Sequence, residues 1–203
     1  MSGDTYVVAI DGLSADRPLE ALPRQIERAA LMAVNRTAER TRTASARKIR
    51  EQVNFPARYL SGQNGRLTLD KAKTAEDGAT ITGRFRPTSL ARFATSGSVG
   101  GKNGVRVEVA PGFAKMMRRA FLIRLPAGKG GVDTKSNLGL AIRLRAGEKL
   151  QNKTTAVALG KSGLVLLYGP SVSMVFRSVR DDQVPDAEEF LSKEFARLME
   201  LDL

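Results

Sequence analysis

Arginines and lysines spaced along one predicted helix are the residues of this sequence best suited to chemistry, and their chemistry is the binding of anions. Between Arg24 and Gln52 there are three acids and eight bases, which are Arg24, Arg28, Arg36, Arg40, Arg42, Arg47, Lys48 and Arg50. A guanidinium matches the geometry of a carboxylate or a phosphate. The predicted contacts with DNA or an acidic partner are Arg40, Arg42, Arg47 and Arg50. A solvated helical face is the alternative that the sequence leaves open.

Two glycine-rich stretches, at 97–104 and 128–131, supply further lysines. Neither has the glycine spacing of a dinucleotide site, and the first leads into a predicted strand instead of a helix. We therefore expect no nucleotide cofactor, and we predict mobile hairpin loops near 95–104 and 127–137. Lys102 and Lys129 in these loops are predicted to touch phosphates or an acidic partner. The alternative is a solvated loop whose lysines only aid solubility.

The sequence contains no histidine and no cysteine. It therefore has no Ser-His-Asp triad, no thiol nucleophile and no His or Cys ligand for a metal. A metal site made only of carboxylates is still chemically allowed, but no closely spaced set of acids stands out in residues 1–180. We predict a protein that is not an enzyme and that has no catalytic residue, metal or cofactor.

The basic helix also carries a narrow stripe of small and apolar residues. These residues keep helical spacing from Leu22 to Ala44, so they face one side, and their small size lets another backbone approach closely. We interpret the stripe, with apolar positions of the last helix, as an interface between copies. The predicted interface residues are Ile26, Ala30, Ala33, Asn35, Thr37, Phe190 and Phe195. For Asn35, a polar contact within the fold is the other interpretation.

The rest of the chain alternates between short strand patterns and turn signals. Asn54-Phe-Pro56 is predicted to end the long helix, because the residue before a proline is disfavoured in the α region. Strands are predicted at 66–69 and 79–82, which form a hairpin, and at 105–109, 120–125, 138–144 and 164–168. Pro185 begins a last amphipathic helix. This order predicts an α+β fold with extended glycine-rich loops, in a single domain spanning 1–203.

Positive and negative charge are separated along the chain. The 33 Lys+Arg and 21 Asp+Glu give a formal net charge of +12. Residues 181–203 hold eight acids and two bases, a charge of −6, which leaves 31 bases and 13 acids, a charge of +18, in residues 1–180. A basic body with an acidic end can bind copies of itself head to tail and close into a ring. Shielding of the body by the acidic end of the same molecule fits the charges equally well.

Several segments resemble one known family. Ala29-Ala-Leu-Met-Ala-Val-Asn-Arg-Thr-Ala38 is similar to the A-M-A-[IV]-N-R helix of the prophage minor tail protein Z family, from phages with long tails. The likeness continues in the basic run Arg40–Arg50, in Leu90-Ala-Arg-Phe93, at Phe121, in Leu167–Phe176 and in the final helix after Pro185. The resemblance implies a structural virion protein without a catalytic site, which places its long helix against an antiparallel β-sheet.

The resemblance also implies a place for the protein in the phage. It would complete the tail and form a ring at the head–tail, or neck, junction, by hypothesis a hexamer. The implied partners are copies of itself and the tail tube, tail terminator and head–tail connector, with phage DNA left open. The protein would be assembled in the host cytoplasm and end in the virion, with no membrane partner, because no stretch approaches the length of a membrane span.

Two other functions compete with this one. A non-sequence-specific nucleic-acid-binding protein is the alternative that the positive charge supports. The sequence has no RNP-like aromatic motif, zinc finger or clear helix-turn-helix. An enzyme is the third interpretation, and catalysis without His, Cys or a clustered pair of acids would be unusual.

Overall fold

The computed structural model describes residues 5–8, 24–61, 65–125, 137–145, 147–149, 156–159 and 163–201. The chain forms two compact units. Unit 1 comprises Met1–Arg50, Pro56–Phe85 and Val172–Leu203, and unit 2 comprises Glu51–Phe55 and Arg86–Ser171.

Unit 1 combines helices with one antiparallel sheet. Its elements are β1 (Thr5–Val8), α1 (Arg24–Gln52, whose last two residues belong to unit 2), α2 (Ala57–Ser61), β2 (Leu67–Asp70), β3 (Ala79–Gly83), α3 (Val172–Arg180) and α4 (Val184–Glu200). The sheet has the order β1-β3-β2, and both pairings are antiparallel.

Helix α1 is long because alanines and arginines with high helix propensity fill it. It ends at Gln52, two residues before Asn54, as the Asn54-Phe-Pro56 pattern predicts. Its small residues allow close packing on two sides. Val34 and Ala38 pack with Ala79 of β3, whereas Ala29 and Ala33 pack with Leu198 of α4.

Helix α3 lies close against the sheet of unit 1 at Gly83. A Cβ atom added to Gly83 would lie 2.9 Å from the Cα atom of Ser173 and 3.4 Å from the Cβ atom of Phe176. The Ser173 amide also donates a hydrogen bond to the Arg84 carbonyl at 3.0 Å. A larger residue at position 83 would therefore push the first turn of α3 away from β3.

Unit 2 consists of strands and one short helix. Its elements are β4 (Thr88–Ser89), a 3₁₀-helix (Leu90–Phe93), β5 (Val105–Ala110), β6 (Phe113–Met117), β7 (Ala120–Arg124), β8 (Leu138–Arg143), β9 (Ala156–Leu159) and β10 (Leu164–Gly169). One antiparallel sheet has the order β4-β10-β8-β7, with β9 also paired to β10. Strands β5 and β6 form a separate hairpin.

The predicted α+β fold is confirmed, and so is the hairpin of β2 and β3. Helices α2 and α3 and strands β6 and β9 were not predicted from the sequence. Of the two predicted loops, 95–104 is described. Its backbone is joined to strands by hydrogen bonds from Thr95 to Arg106 and from Gly100 to Leu122, both 2.8 Å long. In the other loop, 126–136 lies outside the described residues. No described helix is long and apolar enough to span a membrane.

Candidate anion-binding surfaces

Unit 2 contains a basic cleft. Its volume is about 800 Å³. It is lined by Gly100, Gly101, Lys102, Arg118, Arg119, Ala120, Phe121, Arg143, Leu144 and Arg145. Five of these ten residues are cationic, and Phe121 and Leu144 add half-buried apolar surface. The cleft therefore suits a ligand that has both negative charge and apolar groups.

Three parts of the fold bring these cations together. Arg118 and Arg119 occupy the turn between β6 and β7. Arg143 ends β8, and pairing of β7 with β8 holds these two parts side by side. The glycine-rich loop is tied to β7, because Val99 bridges Leu122 and the Gly100 amide donates to the Leu122 carbonyl. That connection places Lys102 at the cleft.

Glu148 fixes one of the cleft arginines. Arg119 Nη1 and Nη2 donate to its two carboxylate oxygens at 2.9 and 2.8 Å, and Nη2 also donates to the Arg143 carbonyl at 2.9 Å. The hydrogen bond from Arg119, with that from the Arg145 amide, lowers the pKa of Glu148 to about 2. Lys102, Arg118 and Arg143 form no salt bridge with any carboxylate of the described residues. The cleft thus keeps a net positive charge.

The predicted basic residues of α1 do not all share one surface. Arg40 and Arg47 are seven residues apart, which is about two helical turns, and Arg50 lies about one turn further on. These three exposed residues therefore lie towards one face. Arg42 is about 200° around the helix from Arg40 and is half-buried. The structure thus separates Arg42 from the other three.

Part of the basic face of α1 is already in contact with α4. The Arg40 guanidinium lies over the Phe190 ring, 4.4 Å from its centroid. Arg36, one turn earlier, donates to Glu194 at 2.5 Å, and Glu194 also accepts from Arg197 at 2.8 and 2.9 Å. Hydrogen bonds from Arg197 and then Arg36 lower the pKa of Glu194 to about 2. Its carboxylate is therefore held as an anion inside a basic layer.

The residues predicted as an interface between copies lie within unit 1. Ala30, Ala33 and Thr37 are fully buried, so no part of these side chains is open to a second copy in this structure. Asn35 exchanges two hydrogen bonds with the backbone of Ala72, at 3.0 and 2.8 Å. That arrangement is the contact within the fold that the sequence left open for Asn35.

The remaining predicted interface residues are half-buried. Phe195 packs beside the cluster of Ala29, Ala33 and Leu198, and Phe190 lies beneath Arg40. Ile26 is half-buried near the start of α1. The small-residue stripe of α1 therefore meets α4 of its own chain.

One of the five cleft cations was predicted from the sequence, and the other four were not. Lys102 lies at the cleft, whereas Lys129 lies outside the described residues. The missed cations are Arg118, Arg119, Arg143 and Arg145. The only sequence signal was the pair Arg118-Arg119, because joining it to Arg143 requires the pairing of β7 with β8.

The protein also has an exposed acidic surface, whose negative charge is opposite to that of the basic surfaces. Residues 181–189, from the 3₁₀-helix Asp181–Gln183 into α4, carry the exposed acids Asp181, Asp182, Asp186, Glu188 and Glu189. Within the described part of the chain, no group of carboxylates is arranged to hold a metal ion.

The arginine-rich cleft and helix face are two positively charged surfaces of the protein. A family model described as Prophage minor tail protein Z (GPZ) matches residues 10–203. The chain therefore belongs to the prophage minor tail protein Z family, and it is a structural protein of a phage tail. The resemblance seen in the sequence is confirmed. No curated protein and no solved structure gives a significant match.

Proposed function

We propose that this protein completes the phage tail as a ring at the head–tail junction, and that it presents basic surfaces to DNA or to an acidic neighbouring ring. The observation that carries the proposal is the separation of charge on a member of a tail family. A cleft lined by five cations lies in unit 2, whereas five exposed acids lie within residues 181–189 of unit 1. Head-to-tail contacts of this kind close into rings when the rotation between copies permits.

The ring is proposed to be a hexamer, and the two units are proposed to act together as one tail-completion module. Its neighbours would be the tail tube, the tail terminator and the head–tail connector. Arg47 and Arg50 are exposed residues of α1. These arginines would face the DNA path or an acidic neighbour and would contact phosphates without reading sequence.

Deletion of the gene in its phage or prophage tests this role. The proposed function predicts tails of normal length that stay separate from filled heads, and plasmid-borne wild-type protein should restore joined particles. Electron microscopy of lysates gives the counts of joined and unjoined particles. Joined, infectious particles in the absence of the protein would contradict a neck role. Tails of altered length would instead indicate a function in tail-length control.

Binding of nucleic acid without sequence specificity is a second candidate, favoured by Lys102, Arg118 and Arg143 of the cleft, which form no salt bridge with a described carboxylate. This function predicts a gel shift of any duplex at low salt. The slope of log affinity against log salt should be about −0.9 for each phosphate that is neutralised. Free duplex that stays unshifted at 50 mM salt and high protein concentration would reject it.

A further inference from the structure

The basic cleft of unit 2 has more positive charge than the described part of the chain neutralises. Glu148 engages Arg119, whereas Lys102, Arg118 and Arg143 remain without a described carboxylate partner. Gathering like charges around one recess is unfavourable unless an anion binds there. Half-buried Phe121 and Leu144 line the same recess and would contact apolar groups of a ligand bound there.

The segment 181–189 has the complementary chemistry. Arg180 pairs with Asp181, and Lys193 pairs with Glu189. Asp182, Asp186 and Glu188 are exposed and form no salt bridge with a described base. Between these acids lie half-buried Val184 and exposed Pro185. The segment thus combines apolar groups with three carboxylates that pair with no described base, on helical turns that fix their positions.

We infer that the cleft of one copy binds the segment 181–189 of a second copy. The cleft arginines would receive the carboxylates of Asp182, Asp186 and Glu188, since guanidinium and carboxylate groups form paired hydrogen bonds. Phe121 and Leu144 would contact Val184 and Pro185. This contact rests on the proposed ring and names the surfaces that build it.

A protein segment fits the cleft better than DNA does. The phosphate backbone of a duplex offers little apolar surface to Phe121 and Leu144, whereas the segment 181–189 offers Val184 and Pro185. A recess of about 800 Å³ also accepts a helical turn with its side chains, whereas a duplex lies along an extended basic surface. Binding of DNA in the cleft is the competing outcome of the charge-reversal experiment below.

Two full-length charge-reversal variants test the contact. Variant one carries Arg118→Glu and Arg143→Glu in the cleft, and variant two carries Asp182→Lys and Glu188→Lys in the segment. Each alone should have an association constant at least about tenfold below wild type, because like charges then face each other. An equimolar mixture should recover the association, since each contact between the two variants again joins opposite charges. Sedimentation velocity at 50 mM salt measures all three samples.

Matched controls separate this contact from general charge effects. Arg58→Glu with Arg106→Glu, and Asp70→Lys with Glu76→Lys, change exposed residues outside both surfaces by the same charge. These controls should associate as wild type does, and all variants should keep the wild-type melting temperature within a few degrees. Raising the salt to 500 mM should dissociate the wild type and the mixture together.

Recovery in the mixture would establish the contact. A mixture that stays monomeric while both variants are folded would overturn it, as would a wild type that is monomeric at all concentrations at 50 mM salt. Loss of DNA binding by variant one, with its self-association unchanged, would assign the cleft to DNA and would also overturn the proposal. Association in solution needs only the contact, whereas head–tail joining needs the neck role. The two can therefore fail independently.

Discussion

Arg36 of α1 donates a hydrogen bond to Glu194 of α4 across 158 positions of sequence, with its Nη1 atom 2.5 Å from Oε1. Arg40 over Phe190 and Ala33 against Leu198 continue the same contact on either side. Successive contact residues along α1 meet residues of α4 in decreasing order of residue number, so the two helices run antiparallel. The acidic last helix is thus part of the folded layer of unit 1.

This ion pair should contribute measurably to stability. Glu194→Gln should lower the free energy of unfolding by about 1–3 kcal/mol, because hydrogen bonds to a charged, mostly buried carboxylate are lost. Arg36→Ala should cost less, since Arg36 is half exposed, and the coupling between the two changes should be about 0.5–1 kcal/mol. Urea denaturation of the wild type, the two single variants and the double variant gives the coupling energy. Glu200→Gln, at the exposed end of the same helix, is the control, and additive effects of the two changes would show that the pair contributes nothing.

Stability should also depend on pH through Glu194. Arg197 and Arg36 lower the pKa of this carboxyl from its ordinary 4.5 to about 2 in the folded protein. The unfolded chain therefore binds the proton first, and the stabilisation is complete above about pH 4.5 and is lost as the pH falls towards 2. Thermal melts should show a smaller drop between pH 5 and pH 3 for Glu194→Gln than for wild type. An equal drop in both proteins would contradict the proposed origin of the acid sensitivity.

Because α1 packs closely on α4, a larger side chain at position 33 should destabilise the protein. Ala33→Leu should destabilise the protein by about 1–3 kcal/mol, because the added methylene and methyl groups enter a filled contact with Leu198. Ala196→Leu is the matched control on the exposed side of α4 and should change stability by less than about 0.5 kcal/mol. Equal melting temperatures for the two variants would show that Ala33 does not lie in a tightly packed contact between α1 and α4.

The exposed Arg47 and Arg50 can be tested without changing Arg40, which contacts Phe190 of α4. Arg47→Gln with Arg50→Gln should reduce the yield of infectious particles while the protein stays folded, with the defect at head–tail joining or DNA retention. Arg40 and Arg42 are poor probes, because Arg40 stacks on Phe190 and Arg42 is half-buried. Arg24→Gln with Arg28→Gln removes the same charge from the start of α1 as a control. Infectivity equal to that of the control would show that Arg47 and Arg50 make no contact that infection requires.

Local signals were sufficient to predict most elements of the fold. Pro56 places the end of α1, and the Glu76-Asp-Gly78 turn specifies the hairpin of β2 and β3. Helix α3 was missed because it begins directly after the strand end at Gly169-Pro170, where the chain reads as a turn. Strand β6 was missed because apolar and polar residues do not alternate in Phe113-Ala-Lys-Met-Met117, so the sequence lacks the pattern of a half-buried strand.

The candidate sites show the limit of the sequence more clearly. A small-residue stripe predicts that something packs closely on α1, but the pattern does not distinguish a second copy from α4 of the same chain. The long-range contact of Ala33 with Leu198 supplies that information. The cleft likewise depends on strand pairing that joins Arg118 to Arg143, residues that no local motif connects.

Cryo-electron microscopy of wild-type virions, with the chain placed in density at the head-proximal end of the tail, tests the central claim most directly. The account predicts a closed ring of six copies there, with residues 181–189 of each copy in the basic cleft of the next. A single copy, or copies located elsewhere along the tail or at its distal tip, would contradict it.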